Sequence, residues 1–317
     1  MRRFLAALVL LACGAAGAQD WPARPVQLIV PYTPGTGADI LARLVGPKLG
    51  EHWKVAVVTE NKAGATGNIG AEFVAKSPPD GYTLLFVATS FTTTPALARS
   101  LPFDPVKSFE PVALLATSGL VVVVNPMVQA RSLREFIELV KREPGKLNYS
   151  SPGNGGPQHL AMELLKLETG MDIVHVPYKG AAGALADVVA GHVDATVATV
   201  QTVVAHVHSG KLHGLAVMSY DRSKALPDVP TLREQGLNDL EVETWYGAFA
   251  PAGTPAAVVA RINSDVNAAL LDPAVREALA RQGMTPAGGA TQVLARRVGV
   301  ELARWKRVVK EAGIKAD

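Results

Sequence analysis

Runs that are apolar at nearly every position, rather than at every second one, recur along this chain at residues 26–30, 82–88, 112–116, 120–124 and 245–250, and a more polar strand is predicted at 193–199. A strand apolar on both faces must be covered on both faces. Helical patterns stand between most of these runs, and residues 256–271, 273–282 and 291–311 also read as helices. The alternation predicts an α/β fold with mostly parallel sheets flanked by helices. Further strands are predicted at 55–59, 147–150, 173–177 and 212–218, with Thr117-Ser118-Gly119 separating two of the runs. Shorter helices are predicted at 71–76, 95–99 and 133–142.

The first run stops at Pro31 and enters Tyr32-Thr33-Pro34-Gly35-Thr36-Gly37. Ile40, Leu41, Leu44 and Val45 then repeat at helical spacing. Thr36 followed three residues later by Asp39 reads as a variant capping box. Strand, glycine loop and helix start aim unpaired backbone N–H groups and a positive helix end at one point, where an anion can bind without a charged side chain. The same residues also fit a plain strand-to-helix turn. The construction returns as a strand at 147–150, the loop Ser151-Pro152-Gly153-Asn154-Gly155-Gly156 and a helix opening on Pro157. Proline suits that position because its missing N–H would be unpaired there. Residues 173–177 lead through Tyr178-Lys179-Gly180-Ala181-Ala182-Gly183 into a further helix.

Met1–Ala18 reads as a signal peptide, with Arg2 and Arg3 ahead of nine apolar residues, 4–12, and Ala16-Gly17-Ala18 as the cleavage site. Cleavage after Ala18 is expected in preference to a lipid anchor on Cys13, and a periplasmic protein follows. Without the two arginines, 29 basic residues face 28 acidic ones, a net of +1, which gives no reason to expect nucleic acid as a partner. Cys13 is the only cysteine, so the mature chain forms no disulfide. Its length of roughly 300 residues is enough to bury a core without one and suggests two domains.

Enzymatic motifs are missing. Ile40 stands where the dinucleotide fingerprint needs its third glycine, no Walker loop occurs, and Ser150 and Ser151 lack the G-x-S-x-G elbow. His206, His208 and His213 read as solvated rather than as metal ligands. No catalytic residue, metal or cofactor is expected.

Several stretches together carry a resemblance. They are Val30-Pro31-Tyr32 with Pro34-Gly35 and Asp39, Glu60-Asn61-Lys62 through Gly67-Asn68-Ile69-Gly70, Pro79-Asp80-Gly81-Tyr82-Thr83-Leu84, and Tyr149 through Gly155. His175 through Gly180, Trp245-Tyr246-Gly247 and Pro251-Ala252-Gly253-Thr254-Pro255 complete the set. In these the chain resembles the Bug family of substrate-binding proteins of tripartite tricarboxylate transporters, over nearly all of its mature length.

The resemblance implies two α/β domains of the type II periplasmic binding-protein architecture, closing on a small carboxylate. One domain would comprise 19–118 and 246–317, the other 119–245, with the C-terminal helices returning to the first. A carboxylate would lie between a first loop holding Tyr32, Thr33, Gly35, Thr36 and Gly37 and a second holding Ser151, Gly153, Asn154, Gly155 and Gly156. Asn68, Thr89, Ser90, Tyr178, Gly180, Ala181, Ala182 and Thr199 would line the rest, with His159 and Tyr246 nearby and bridging water completing the polar contacts. Thr36 and Thr199 depart from the family pattern, which puts the remainder of the ligand in doubt. The expected partners are that carboxylate and the membrane permease subunits, with the protein itself a monomer. A periplasmic sensor passing the signal to a membrane kinase is the alternative, and a hydrolase or lyase in the same cleft a more distant one.

Overall fold

The computed structural model describes residues 21–98 and 100–314, so the signal segment and Cys13 lie outside the described residues. The chain opens with β1 (Val26–Val30), α1 (Gly37–Trp53), β2 (Val57–Asn61), α2 (Asn68–Ala75), β3 (Thr83–Ala88) and α3 (Ser90–Leu97). A 16-residue strand, β4 (Phe109–Val124), follows. Next come α4 (Leu133–Arg142), β5 (Asn148–Ser151), α5 (Pro157–Thr169), β6 (Val174–Pro177), α6 (Ala181–Ala190), β7 (Ala195–Thr199), α7 (Val200–His208) and β8 (His213–Val217). The chain ends with β9 (Glu243–Pro251), α8 (Ala256–Leu271), α9 (Pro273–Arg281), β10 (Thr285–Pro286) and α10 (Thr291–Glu311).

The strands join in the order β2-β1-β3-β9-β4-β7-β5-β6, with β8 and β10 also paired to β4. β4 therefore serves two half-sheets. Its first part pairs with β9 from Phe109 to Gly119, and its second with β7 and β8 from Leu120 to Val124. The predicted break at Thr117-Ser118-Gly119 does not occur, because the ladder to Trp245, Thr244 and Glu243 continues through all three residues. Register shifts earlier in the pairing, between Pro111 and Ala113 and between Leu114 and Ala116, provide irregularity without ending the strand.

Direction follows from the pairing. β3 is antiparallel to β9 and β9 to β4, so β1, β2 and β3 all run with β4. β7 is antiparallel to β4 and parallel to β5, which is parallel to β6, so these three run against it. The carboxyl ends of the two parallel sets consequently point toward each other across the middle of β4.

One core under the first half-sheet holds Leu28, Leu41, Leu84, Ile262 and Val266, and another on its opposite face holds Ile29, Leu85, Trp245, Leu294 and Val298. The second half-sheet is packed by Leu120, Phe136, Tyr149, Leu164 and Met218, together with Trp305 and Val308. The last two belong to α10, so this helix, expected to return to the first domain, also reaches the second half-sheet. α10 begins on the first half and ends in the core of the second, and at the surface there Arg307 pairs with Glu168 of α5 at 2.8 Å. A second correction concerns 200–208, a segment given no helix from the sequence, which is α7.

Candidate functional site

Six helices begin at the carboxyl ends of parallel strands: α1, α2 and α3 after β1, β2 and β3, and α5, α6 and α7 after β5, β6 and β7. On the first half, Ala88, Tyr246 and Ala116 share one row of the sheet. On the second, Thr199 pairs with Leu120. Four residue steps along β4, from Ala116 to Leu120, about 13 Å of extended chain, separate the two rows. The starts of three helices from each side thus lie toward the middle of β4, the position at which open parallel sheets bind ligands.

In the first loop, Gly35 adopts φ +83°, and its N–H donates to Asp39 Oδ2 at 2.9 Å. This modifies the expected capping box. Thr36 is the N-cap but makes no side-chain cap, its hydroxyl donating instead to the Thr33 carbonyl at 3.0 Å. Burial pushes the Asp39 carboxyl up, but hydrogen bonds from Arg43, Gly35 and Asn61 outweigh it and hold the group below the usual aspartate range. Gly37 lies against Tyr246, where a Cβ would come within 2.3 Å of the phenol oxygen. Burial, with Tyr32 adding to it, pushes the Tyr246 phenol up to about 12. The Tyr32 hydroxyl pairs with Ser90 Oγ at 2.7 Å and accepts the Ala88 N–H at 3.1 Å.

In the second loop, Gly155 adopts φ +68°, and its N–H donates to His159 Nδ1 at 2.8 Å. Tyr178 N–H donates to the Ser151 carbonyl and Gly180 N–H to the Pro152 carbonyl, tying this loop to the start of α6. The Tyr178 hydroxyl donates to Asp187. A Cβ on Gly155 would lie 1.9 Å from Leu97 Cδ1 of α3, so this loop touches the other half of the molecule.

Not every residue named from the sequence presents its side chain to the crevice. Thr89 is fully buried and bonded through Oγ1 to the Trp245 backbone. Ser151 is fully buried, donating to the Gly153 carbonyl and paired with His175 Nε2 at 2.7 Å. His159 lies beneath its loop. Thr33, Gly35, Ala181 and Ala182 are exposed, while Asn68, Gly153, Asn154, Gly156 and Thr199 are half-buried. Tyr32, Asn68 and Ser90 border a space of about 10 Å³ in the first half. Ala181 and Thr199 border one of about 20 Å³ in the second, with Gln158 and Thr202. Each has room for roughly one water. Gln158 and Thr202 were missed by the sequence reading; Gln158 sits one residue after the predicted helix start, which was the available signal.

Larger grooves lie elsewhere and contain none of the candidate site residues. One of about 480 Å³ runs along α10, and one of about 610 Å³ lies beside α2. His213 is a further correction. Its Nε2 is buried without a hydrogen-bond partner, and burial, with Arg131 adding, lowers its pKa, so it is not a solvated histidine. Among the described residues no group of three or more His, Cys, Asp or Glu side chains could hold a metal ion, and no helix is long and apolar enough to cross a membrane.

Residues 41–314 match the tripartite tricarboxylate transporter family receptor, TctC. BugT of Bordetella pertussis is 37% identical over 300 residues, covering 94% of this chain and 92% of its own length. A solved R. palustris protein with adipate is 36% identical with a TM-score of 0.76, over 93% of this chain and 99% of that one. MatC of Rhodopseudomonas palustris with bound malate is 33% identical, TM-score 0.73, over 91% and 100%. A Polaromonas TctC solute-binding protein without ligand gives a TM-score of 0.83 at 30% identity, over 92% and 99%. The α/β fold is that of these periplasmic binding proteins, and the chain belongs to the TctC/Bug family of non-enzymatic periplasmic solute-binding proteins.

Proposed function

We propose that this protein captures a small organic carboxylate in the crevice between the half-sheets and delivers it to the permease subunits of a tripartite transporter. The observation that carries this reading is that six helices start at the facing carboxyl ends of the strands, three from each half, four of them after loops that contain glycine. Such a site suits an anion whose charge is met by backbone N–H groups and water. The adipate and malate bound to relatives support the carboxylate class. The closing units are 19–118 with 246 onward and 119–245, hinged where β4 and the segment before β9 cross, with the end of α10 packed on the second unit.

A thermal-shift panel of mono-, di- and tricarboxylates, sugars, peptides and metal ions tests the ligand class. A carboxylate at about a hundred times its Kd adds ~2.7 kcal/mol of stability; stabilisation by sugars alone would overturn the reading. Export is part of the same proposal. Cleavage after Ala18 predicts that intact-mass analysis of periplasmic protein finds a chain beginning at Gln19, and a diacylated Cys13 would contradict it.

A further inference from the structure

Two helices serve both halves of the molecule. α10 runs from the first core into the second. α3 starts beside the first loop, but its end places Ala96 against the second core and Leu97 beside Gly155. Glu301 of α10, a buried carboxylate, joins them.

One oxygen makes the junction. Glu301 Oε2 accepts from the Thr92 hydroxyl of α3 and the Trp245 indole of β9, each at 2.7 Å, and more weakly from the Trp305 indole at 3.4 Å. Trp305 stands in the second core. Three residues before Thr92, the Thr89 hydroxyl accepts the Trp245 N–H at 2.7 Å. Between the two threonines lies Ser90, whose Oγ pairs with the Tyr32 hydroxyl at 2.7 Å, and that hydroxyl also accepts the Ala88 N–H at 3.1 Å. A chain of bonds and one helical turn thus leads from α10 to Tyr32 in the first loop. The start of α3 needs such an anchor. The helix has only eight residues, and Pro95 inside it lacks the N–H that would bond back to Phe91.

We infer that Glu301 is a positioning residue for the ligand crevice: from the last helix it holds the start of α3, and through Ser90 the seat of Tyr32, in place against the second half. It acts through these residues and touches no ligand. This rests on the carboxylate-site reading above. The accepting oxygen matters rather than the charge. A glutamine oxygen fits the place of Oε2, with the amide nitrogen at Oε1. The Arg297 guanidinium is 3.9 Å from that position and keeps Glu243 as a partner at 3.3 Å. Leucine keeps the bulk but leaves the Trp245 indole without its acceptor. Thr92 then has only the Thr89 carbonyl, at 2.9 Å within its own helix, and its link to α10 is gone.

Amide exchange at Ala88 in the empty protein, labelled with ¹⁵N-alanine, reads the seat of Tyr32. Glu301→Leu should accelerate it at least about tenfold beyond what any loss of global stability accounts for, and Glu301→Gln should not. Val308→Ala opens space in the second core without touching the chain of bonds, so it should lower stability and leave Ala88 with no extra acceleration. With adipate as probe, Glu301→Leu should bind at least about tenfold more weakly than wild type, and the other two variants within about threefold. Thr92→Val cuts the same link from α3 and should move both readouts in the direction of Glu301→Leu, which keeps the test open if that variant does not fold. Ordinary Ala88 exchange or wild-type adipate affinity in Glu301→Leu, Gln behaving as Leu, or Val308→Ala matching Leu in both readouts would each overturn the inference. If adipate does not bind even wild type, the ligand-class reading is what fails, and Ala88 exchange alone decides whether Glu301 holds the first loop.

Discussion

Gly35, Gly37 and Gly155 lie in the two loops for three different reasons. Gly35 is open around its Cα and is required by its positive φ; Gly37 has ordinary φ and is required by the Tyr246 phenol; Gly155 is required on both counts. The need for glycine was legible because a loop between strand and helix demands close backbone approach or unusual φ. The reason at each position was not, since Tyr246 and Leu97 are remote in sequence. Asp39 is the matching case among polar residues. Its folded pKa is depressed, so its contribution to stability is present above the ordinary aspartate range and is lost as pH falls through the depressed value. Asp39→Asn keeps an acceptor for Gly35 but loses the charge facing Arg43. It should be less stable by about 1 kcal/mol at pH 7, a modest figure because Arg43 is half exposed. Urea midpoints measured from pH 7 downward should converge with wild type below about pH 4; a constant gap would show that the charge contributes nothing.

Among the elements, α10 departs furthest from expectation. Its apolar stripe of Leu294, Val298, Trp305 and Val308 predicts a buried face but not which core receives it. The structure divides the stripe, with the first two residues on the first half-sheet and the last two in the second. Between them, Glu301 is buried and accepts from Thr92 and from the Trp245 indole, each at 2.7 Å, linking α3, β9 and α10. Burial raises the Glu301 pKa against the lowering effect of those bonds. Trp305→Ala should cost about 3 kcal/mol or more by chemical denaturation, as expected for a large ring removed from a packed core. A loss below about 1 kcal/mol would show that the end of the helix is loosely docked. α7 was not legible because Val200-Gln201-Thr202-Val203-Val204 is rich in β-branched residues, which carry little helical signal.

For the whole molecule, the consequence of the paired loops is closure. A ligand that touches both halves stabilises the closed arrangement, and one that touches only one half does not. Small-angle scattering should therefore show a smaller radius of gyration with adipate for wild type. Gly155→Val places a branched side chain against Leu97 and forces a positive φ, so it should bind at least about tenfold more weakly, ~1.4 kcal/mol, and show little contraction. Normal binding and contraction in that variant would move the site elsewhere in the crevice.

The sequence by itself determined the strands, most helices, the glycine loops and the family, because apolar runs, turn residues and helix starts are local properties written in consecutive residues. Tertiary structure alone decided that β4 passes unbroken through Thr117-Ser118-Gly119. A ladder to β9, formed with residues more than a hundred positions away, holds a segment whose local composition reads as a turn. It also decided that Thr89, Ser151 and His159 support the loops from beneath. Whether a polar side chain faces ligand or backbone depends on partners such as Trp245 and His175 that only folding brings beside it.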